Sequence, residues 1–235
     1  MTRVKRNRLI ASIAIFSIIS IVLDSIPGFP QLVSGVWYTW IFLIEPIAGL
    51  VLGPYGGFLS SLIGVMIGHT IYPHGEAAFE FVFSIGAPLG SMVSGFIYSK
   101  KLGRVFLYFT ILLFLFFITP ISSNLPLLGM WDTYLAYLIL CGMLFFKKSF
   151  TKRFDIGISA FIGLEADILF RIFILIPCQT YRLFYGFTID VLQIIWIAGA
   201  LVTPIQVGIS IFVTTLIGPR ILKMTSNIIV DNRIN

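Results

Sequence analysis

Asp167 and Arg171 stand four residues apart inside a stretch that is otherwise almost wholly apolar. That spacing sets both on one helical face, where they can neutralise each other or together hold a charged solute, while Glu165 points away from both. An ionisable group within an apolar span costs about 2.5 to 3.5 kcal/mol on insertion scales, so each one marks a place to look for function. Arg171 presents a planar fork that suits a carboxylate, which makes an anion its natural guest. Glu45 lies alone in another apolar stretch. It can pair with Arg171 across a bundle or sit where water reaches.

A second set of polar and aromatic residues falls at the boundaries of the apolar stretches. Trp37 and Tyr38 form one group; His69, Tyr72, His74, Glu76 and Glu80 form another; Arg182, Asp190, Gln193 and Trp196 form a third. Such aromatics serve either as an interfacial belt or as flat walls of a small-molecule pocket held by one or two polar groups. Catalytic spacings are missing. The two histidines are five apart and make no His-Glu-x-x-His pair, and His74-Gly75-Glu76 lacks a downstream Pro-Cys-x-x-Cys. No Gly-x-Ser-x-Gly occurs either. The chain is therefore not expected to be an enzyme, to hold a metal or to need a cofactor. Cys141 and Cys178 match no metal or disulfide spacing and read as apolar filler.

The elements that must position these residues are membrane helices. Of 235 residues, 58% are apolar and 11% charged, far below the roughly 25% of an ordinary soluble domain. Apolar runs fall at about 9 to 26, 35 to 52, 56 to 71, 79 to 98, 105 to 121, 131 to 146, 156 to 176 and 191 to 218. Each is close to the roughly 20 residues that a bilayer core requires. The fold expected is thus all-α: a polytopic helix bundle of about eight transmembrane helices in a single transmembrane domain, residues 1–235. A six-helix core, with the fifth and sixth runs as a re-entrant hairpin or interfacial pieces, is the alternative. With the N-terminus cytoplasmic, 14 of the 16 Lys and Arg fall on the inner side, which places both termini in the cytoplasm of a multi-pass cell-membrane protein. The first run, preceded by Arg3, Lys5, Arg6 and Arg8, reads as an uncleaved anchor. Basic residues occur in short clusters between apolar runs, so nucleic acid is not an expected partner.

Small residues recur every four positions in two runs: Ser60, Gly64 and Gly68, then Gly86, Gly90 and Ser94, with Ser91 and Gly95 on a neighbouring stripe. In lipid, close helix contact depends on such stripes, so both helices should pack tightly on a partner. Gly53-Pro54-Tyr55-Gly56-Gly57 joins a helix stop to strong turn residues and predicts a tight cytoplasmic hairpin.

Residues 46 to 58, Pro-Ile-Ala-Gly-Leu-Val-Leu-Gly-Pro-Tyr-Gly-Gly-Phe, continuing through Ile63-Gly64 to Gly68, resemble the second and third helices of energy-coupling-factor transporter substrate-binding (S) components. Phe83-Ser84-Ile85-Gly86-Ala87-Pro88-Leu89-Gly90, followed by Gly95 to Lys101, is similar to that family's fourth helix. The resemblance covers about residues 40 to 101. It implies a subunit that captures a vitamin-like micronutrient near the outer face and works with a membrane coupling subunit and cytoplasmic ATPases. It also implies that outer loops close over the ligand, with Trp37, Tyr38, Glu45, His69, His74, Glu80, Asp167, Arg171, Gln193 and Trp196 as the candidate substrate-binding residues. The chain differs from the family in its two further runs and in Ala11, Ala14 and Ser17, which stand three apart.

No Gly-x-x-x-x-Gly-Lys-Ser/Thr loop is present, so ATP-driven transport needs another polypeptide. The function expected is substrate capture for an ATP-driven uptake transporter. A stand-alone ion-coupled carrier using Glu45, Glu165 or Asp167, and a structural membrane subunit without a ligand, are the other readings.

Overall fold

A computed structural model of the protein describes residues 3–30, 37–73, 77–146 and 151–229. It is all-α apart from one small hairpin. The first helix, α1 (Arg3–Asp24), ends at strands β1 (Pro27–Pro30) and β2 (Trp37–Thr39), which pair antiparallel with Pro27 opposite Thr39 and Pro30 opposite Trp37. A 3₁₀ turn at Trp40–Leu43 leads into α2 (Glu45–Ile71), which carries Pro46 in its first turn, where the missing N–H costs nothing. Next come α3 (Ala77–Ser84), α4 (Gly86–Tyr98), α5 (Leu102–Ile118), α6 (Trp131–Phe146), α7 (Lys152–Leu175), the single turn α8 (Thr180–Leu183) and α9 (Ile189–Ile229).

α2 contains the expected reversal. Gly53 adopts φ 77°, ψ 175°, a backbone region open essentially to glycine alone, and Pro54 then starts a new helix. A Cβ built on Gly57 would lie 2.7 Å from the Cα of Gly49. In one continuous helix those residues would be separated by about 12 Å, so residues 45–52 and 54–71 are two antiparallel limbs.

The small-residue stripes are the contact surfaces. Ile13, Ser20 and Asp24 of α1 meet Gly56, Gly64 and Gly68, so α1 and residues 54–71 run side by side in one direction. Ser91 and Gly95 of α4 pack on Gly49, Gly57 and Pro54, while Gly86, Gly90 and Ser94 face Asp167 and Gly163 of α7. α4 is therefore sandwiched, antiparallel to residues 54–71 on one side and to α7 on the other. α5 and α6 form an antiparallel pair joined by Thr110 Oγ1 to Tyr137 Oη at 2.9 Å.

Among the described residues, five helical stretches are long and apolar enough to cross a membrane: Arg6–Asp24, Glu45–Ile71, Phe81–Tyr98, Leu127–Phe145 and Ile189–Thr225. Leu102–Ile118 is apolar but shorter. The second and third expected runs are thus the two limbs of α2, and the limb 45–52 is only eight residues of helix, extended by the 3₁₀ turn. The fifth and sixth runs are helices α5 and α6. α9 is 41 residues, about 60 Å, long enough to overshoot a bilayer.

Many large apolar side chains are exposed, and the largely apolar interior also holds polar groups. Ile10, Ile15, Ile18, Phe114, Phe145, Phe212 and Leu216 are exposed, whereas Ser20, Glu45, Ser60, Ser91, Ser94 and Glu165 are fully buried. That distribution is consistent with a hydrocarbon solvent.

Candidate functional site

The two ends of the bundle differ in charge. At the end where α2 reverses, Arg104 donates to Tyr55 Oη at 3.0 Å and lies 5.2 Å over the ring of Phe96, and Lys100 pairs with Asp155 at 2.8 Å. The opposite end holds a cavity of about 50 Å³, where α1, the outgoing limb of α2, α3 and α7 come together beside α9.

Its polar wall is built from several elements. Asp24, at the end of α1, accepts a hydrogen bond from Thr39 Oγ1 at 2.9 Å and faces His69 Nδ1 at 2.5 Å. His69 Nδ1 also lies 3.0 Å from the carbonyl oxygen of Val65, one turn back on α2. A carbonyl can only accept, so Nδ1 carries a proton. Ser84 Oγ, at the end of α3, is 2.8 Å from His69 Nε2. Across the cavity, Arg171 binds Asp167 with both arms of its fork, Nε to Oδ1 at 2.7 Å and Nη2 to Oδ2 at 3.1 Å. Gln206 of α9 completes the wall; it is buried, and its Nε2 makes no hydrogen bond among the described residues. Ile41, Phe42, Val65, Leu164 and Val207 form the apolar walls.

Arg171 is therefore not an open clamp for an anion. The i, i+4 pairing read from the sequence is present, and it commits the fork to Asp167. Besides His69, the lining carries two carboxylates and one guanidinium among the described residues. That balance favours a neutral or cationic guest over an anion.

Glu45 does not pair with Arg171 and does not meet water. It is fully buried, neither carboxyl oxygen has a hydrogen-bond partner among the described residues, and it sits against Gly90, near enough to Asp167 and Arg171 to feel their charge. Gln193 and Trp196 belong elsewhere. Gln193 Nε2 donates to the carbonyl of Asn124 at 2.7 Å, Trp196 Nε1 donates to that of Pro126 at 2.9 Å, and the indole stacks on Phe116 at 5.6 Å. Both hold the 119–130 segment onto α9 and neither lines the cavity. Trp37 and Tyr38 lie in β2 and Glu80 in α3, but their side chains, and all of His74, fall outside the described residues.

Asp24, Thr39, Ser84 and Gln206 were not singled out in the sequence. Asp24 and Thr39 stand beside turn residues, and Ser84 and Gln206 are single polar positions in apolar runs. The only sequence signal was hydrogen-bonding capacity at a depth where the backbone offers no partner.

Glu165, on the other face of α7, belongs to a second polar cluster. Thr133 Oγ1 donates to Glu165 Oε2 at 2.8 Å, and Asp132 accepts from the Thr133 amide at 3.0 Å and from Thr203 Oγ1 at 2.9 Å. Among the described residues, no group of three or more His, Cys, Asp or Glu is placed to hold a metal ion.

No protein-family model, curated protein or solved structure matches this chain.

Proposed function

We propose that this protein is the membrane-embedded substrate-capture subunit of an ATP-driven uptake transporter for a vitamin-like small molecule. It crosses the cell membrane eight times, keeps both termini in the cytoplasm, and relies on a separate coupling subunit and cytoplasmic ATPases. The observation that carries the reading is the cavity at the end remote from the basic clusters, into which the buried amide of Gln206 brings an unpartnered donor. A donor left unsatisfied in hydrocarbon costs about 1 to 3 kcal/mol, which a guest's acceptor atom would recover. The cavity has room for a few non-hydrogen atoms, so it takes the guest's polar head and leaves the rest outside. The motifs of residues 46–58 and 83–101 support the same reading through their resemblance to S components.

The test is mass spectrometry of small molecules that co-purify with the protein in mild detergent. The wild type should carry one compound, neutral or cationic, and Gln206→Leu should bind it at least about tenfold more weakly while staying folded. An identical small-molecule profile in both proteins would overturn the proposal.

One observation favours a second reading. Asp132 and Glu165 lie together deep in the bundle with only hydroxyl and backbone partners among the described residues, an arrangement suited to carrying a proton in a stand-alone carrier. Uptake by the protein alone in vesicles, abolished by a protonophore, would decide for it.

A further inference from the structure

The Asp24, His69 and Ser84 side chains are joined end to end. Asp24 Oδ2 holds His69 Nδ1–H, and Ser84 Oγ lies 2.8 Å from His69 Nε2. These residues lie 45 and 15 positions apart in sequence, on α1, α2 and α3, so no linear motif announces them. An acid that fixes the tautomer, an imidazole that accepts a proton and a hydroxyl that gives one are the three roles of a nucleophilic serine site, which is recognised by geometry and not by sequence order. The acid is itself oriented by Thr39. The same cavity is lined by Gln206, whose Nε2 is a buried donor without a hydrogen-bond partner among the described residues, the kind of group an oxyanion requires.

We propose that Ser84 is an acylatable nucleophile, activated by His69 and Asp24, and that the cavity takes the carbonyl of a small ester or thioester. Ser84 Oγ bonds to the carbonyl carbon as its proton passes to His69 Nε2, and Asp24 stabilises the resulting imidazolium. Collapse of the tetrahedral species breaks the bond to the leaving oxygen or sulfur, which takes the proton from Nε2. Water then adds to the acyl carbon by the same route, releases the acid and restores the Ser84 hydroxyl. Ligand capture requires none of these steps, so this inference goes beyond the transport reading.

The test uses the full chain in nanodiscs and a fluorophosphonate probe, which phosphonylates an activated serine with loss of fluoride and the hydroxyl proton. Intact mass should rise by one adduct, peptide mapping should place it on Ser84, and Ser84→Ala should abolish it. His69→Gln and Asp24→Asn should each slow labelling by about 100-fold. Because those variants can also disturb helix packing, the pH profile of the wild type is the second measurement. Labelling should rise with pH and then level off, as a single general base requires. Asp24, Asp167 and Arg171 are the titratable or charged groups that share the cavity with His69 among the described residues. No adduct on Ser84 in folded wild type, labelling of His69→Gln at the wild-type rate, or a rate that climbs without a plateau would each overturn the proposal. A small molecule that co-purifies unmodified while Ser84 stays unlabelled would leave the capture reading standing and this one refuted.

Discussion

At the scale of single residues, the chemistry is governed by which charges are already matched. Asp167 and Arg171 form a part-buried fork-to-fork pair, and such a pair is worth little against apolar replacement but more when half of it is removed. Asp167→Asn alone should destabilise the protein by about 3 kcal/mol, whereas Asp167→Asn with Arg171→Met should recover most of that loss. Thermal unfolding in detergent, arranged as a double-mutant cycle, measures both, and equal losses in the two variants would contradict the pairing argument. Cys178 offers a pH test outside the membrane. Partial burial raises its thiol above the ordinary value, so less thiolate is present at neutral pH and maleimide labelling should be slow there and accelerate toward alkaline pH. A free-cysteine rate at neutral pH would contradict it. The pairing of Asp167 with Arg171 was legible because a four-residue spacing dictates contact on any helix. The meeting of Asp24, His69 and Ser84 was not, because it depends on how three helix ends converge.

At the scale of elements, glycine determines how closely the helices approach. A Cβ at Gly49 would collide with the carbonyl of Ser91, and one at Gly90 with the Glu45 carboxyl and the Gly163 carbonyl. Gly49→Ala and Gly90→Ala should each cost about 1 to 3 kcal/mol of overpacking. Gly53→Ala should cost a similar amount for a different reason, since nothing lies near the added methyl and the penalty is the backbone conformation alone. Gly103, in α5 with open space around it, is the control: Gly103→Ala should be neutral or stabilising by about 0.5 to 1 kcal/mol. Detergent melting curves for the four variants check the ranking, and a loss at Gly103 equal to that at Gly49 would remove the packing argument. The four-residue stripes and the reversal at Gly53 could be read from the sequence because period and turn chemistry are local. The shortness of the limb 45–52 could not, because its apolar residues continue without a break into the 3₁₀ turn before it.

At the scale of the whole molecule, the account rests on one polarity: basic clusters and the α2 reversal at one end, the cavity at the other. Composition and the placement of lysine and arginine made that polarity readable, since hydrocarbon excludes charge whatever the packing. Cys178 follows α7 by three residues and is exposed, so it reports the cavity end once the other free cysteine, Cys141, is replaced. Lys100 sits between α4 and α5 at the other end. The most direct test is labelling of intact cells with a membrane-impermeant maleimide, comparing Cys178 in a Cys141→Ser background with Lys100→Cys in a Cys141→Ser, Cys178→Ser background. Cys178 should react from outside the cell and Cys at position 100 only after the membrane is opened. Reaction of both from the same side would contradict the arrangement and the outward-facing cavity with it.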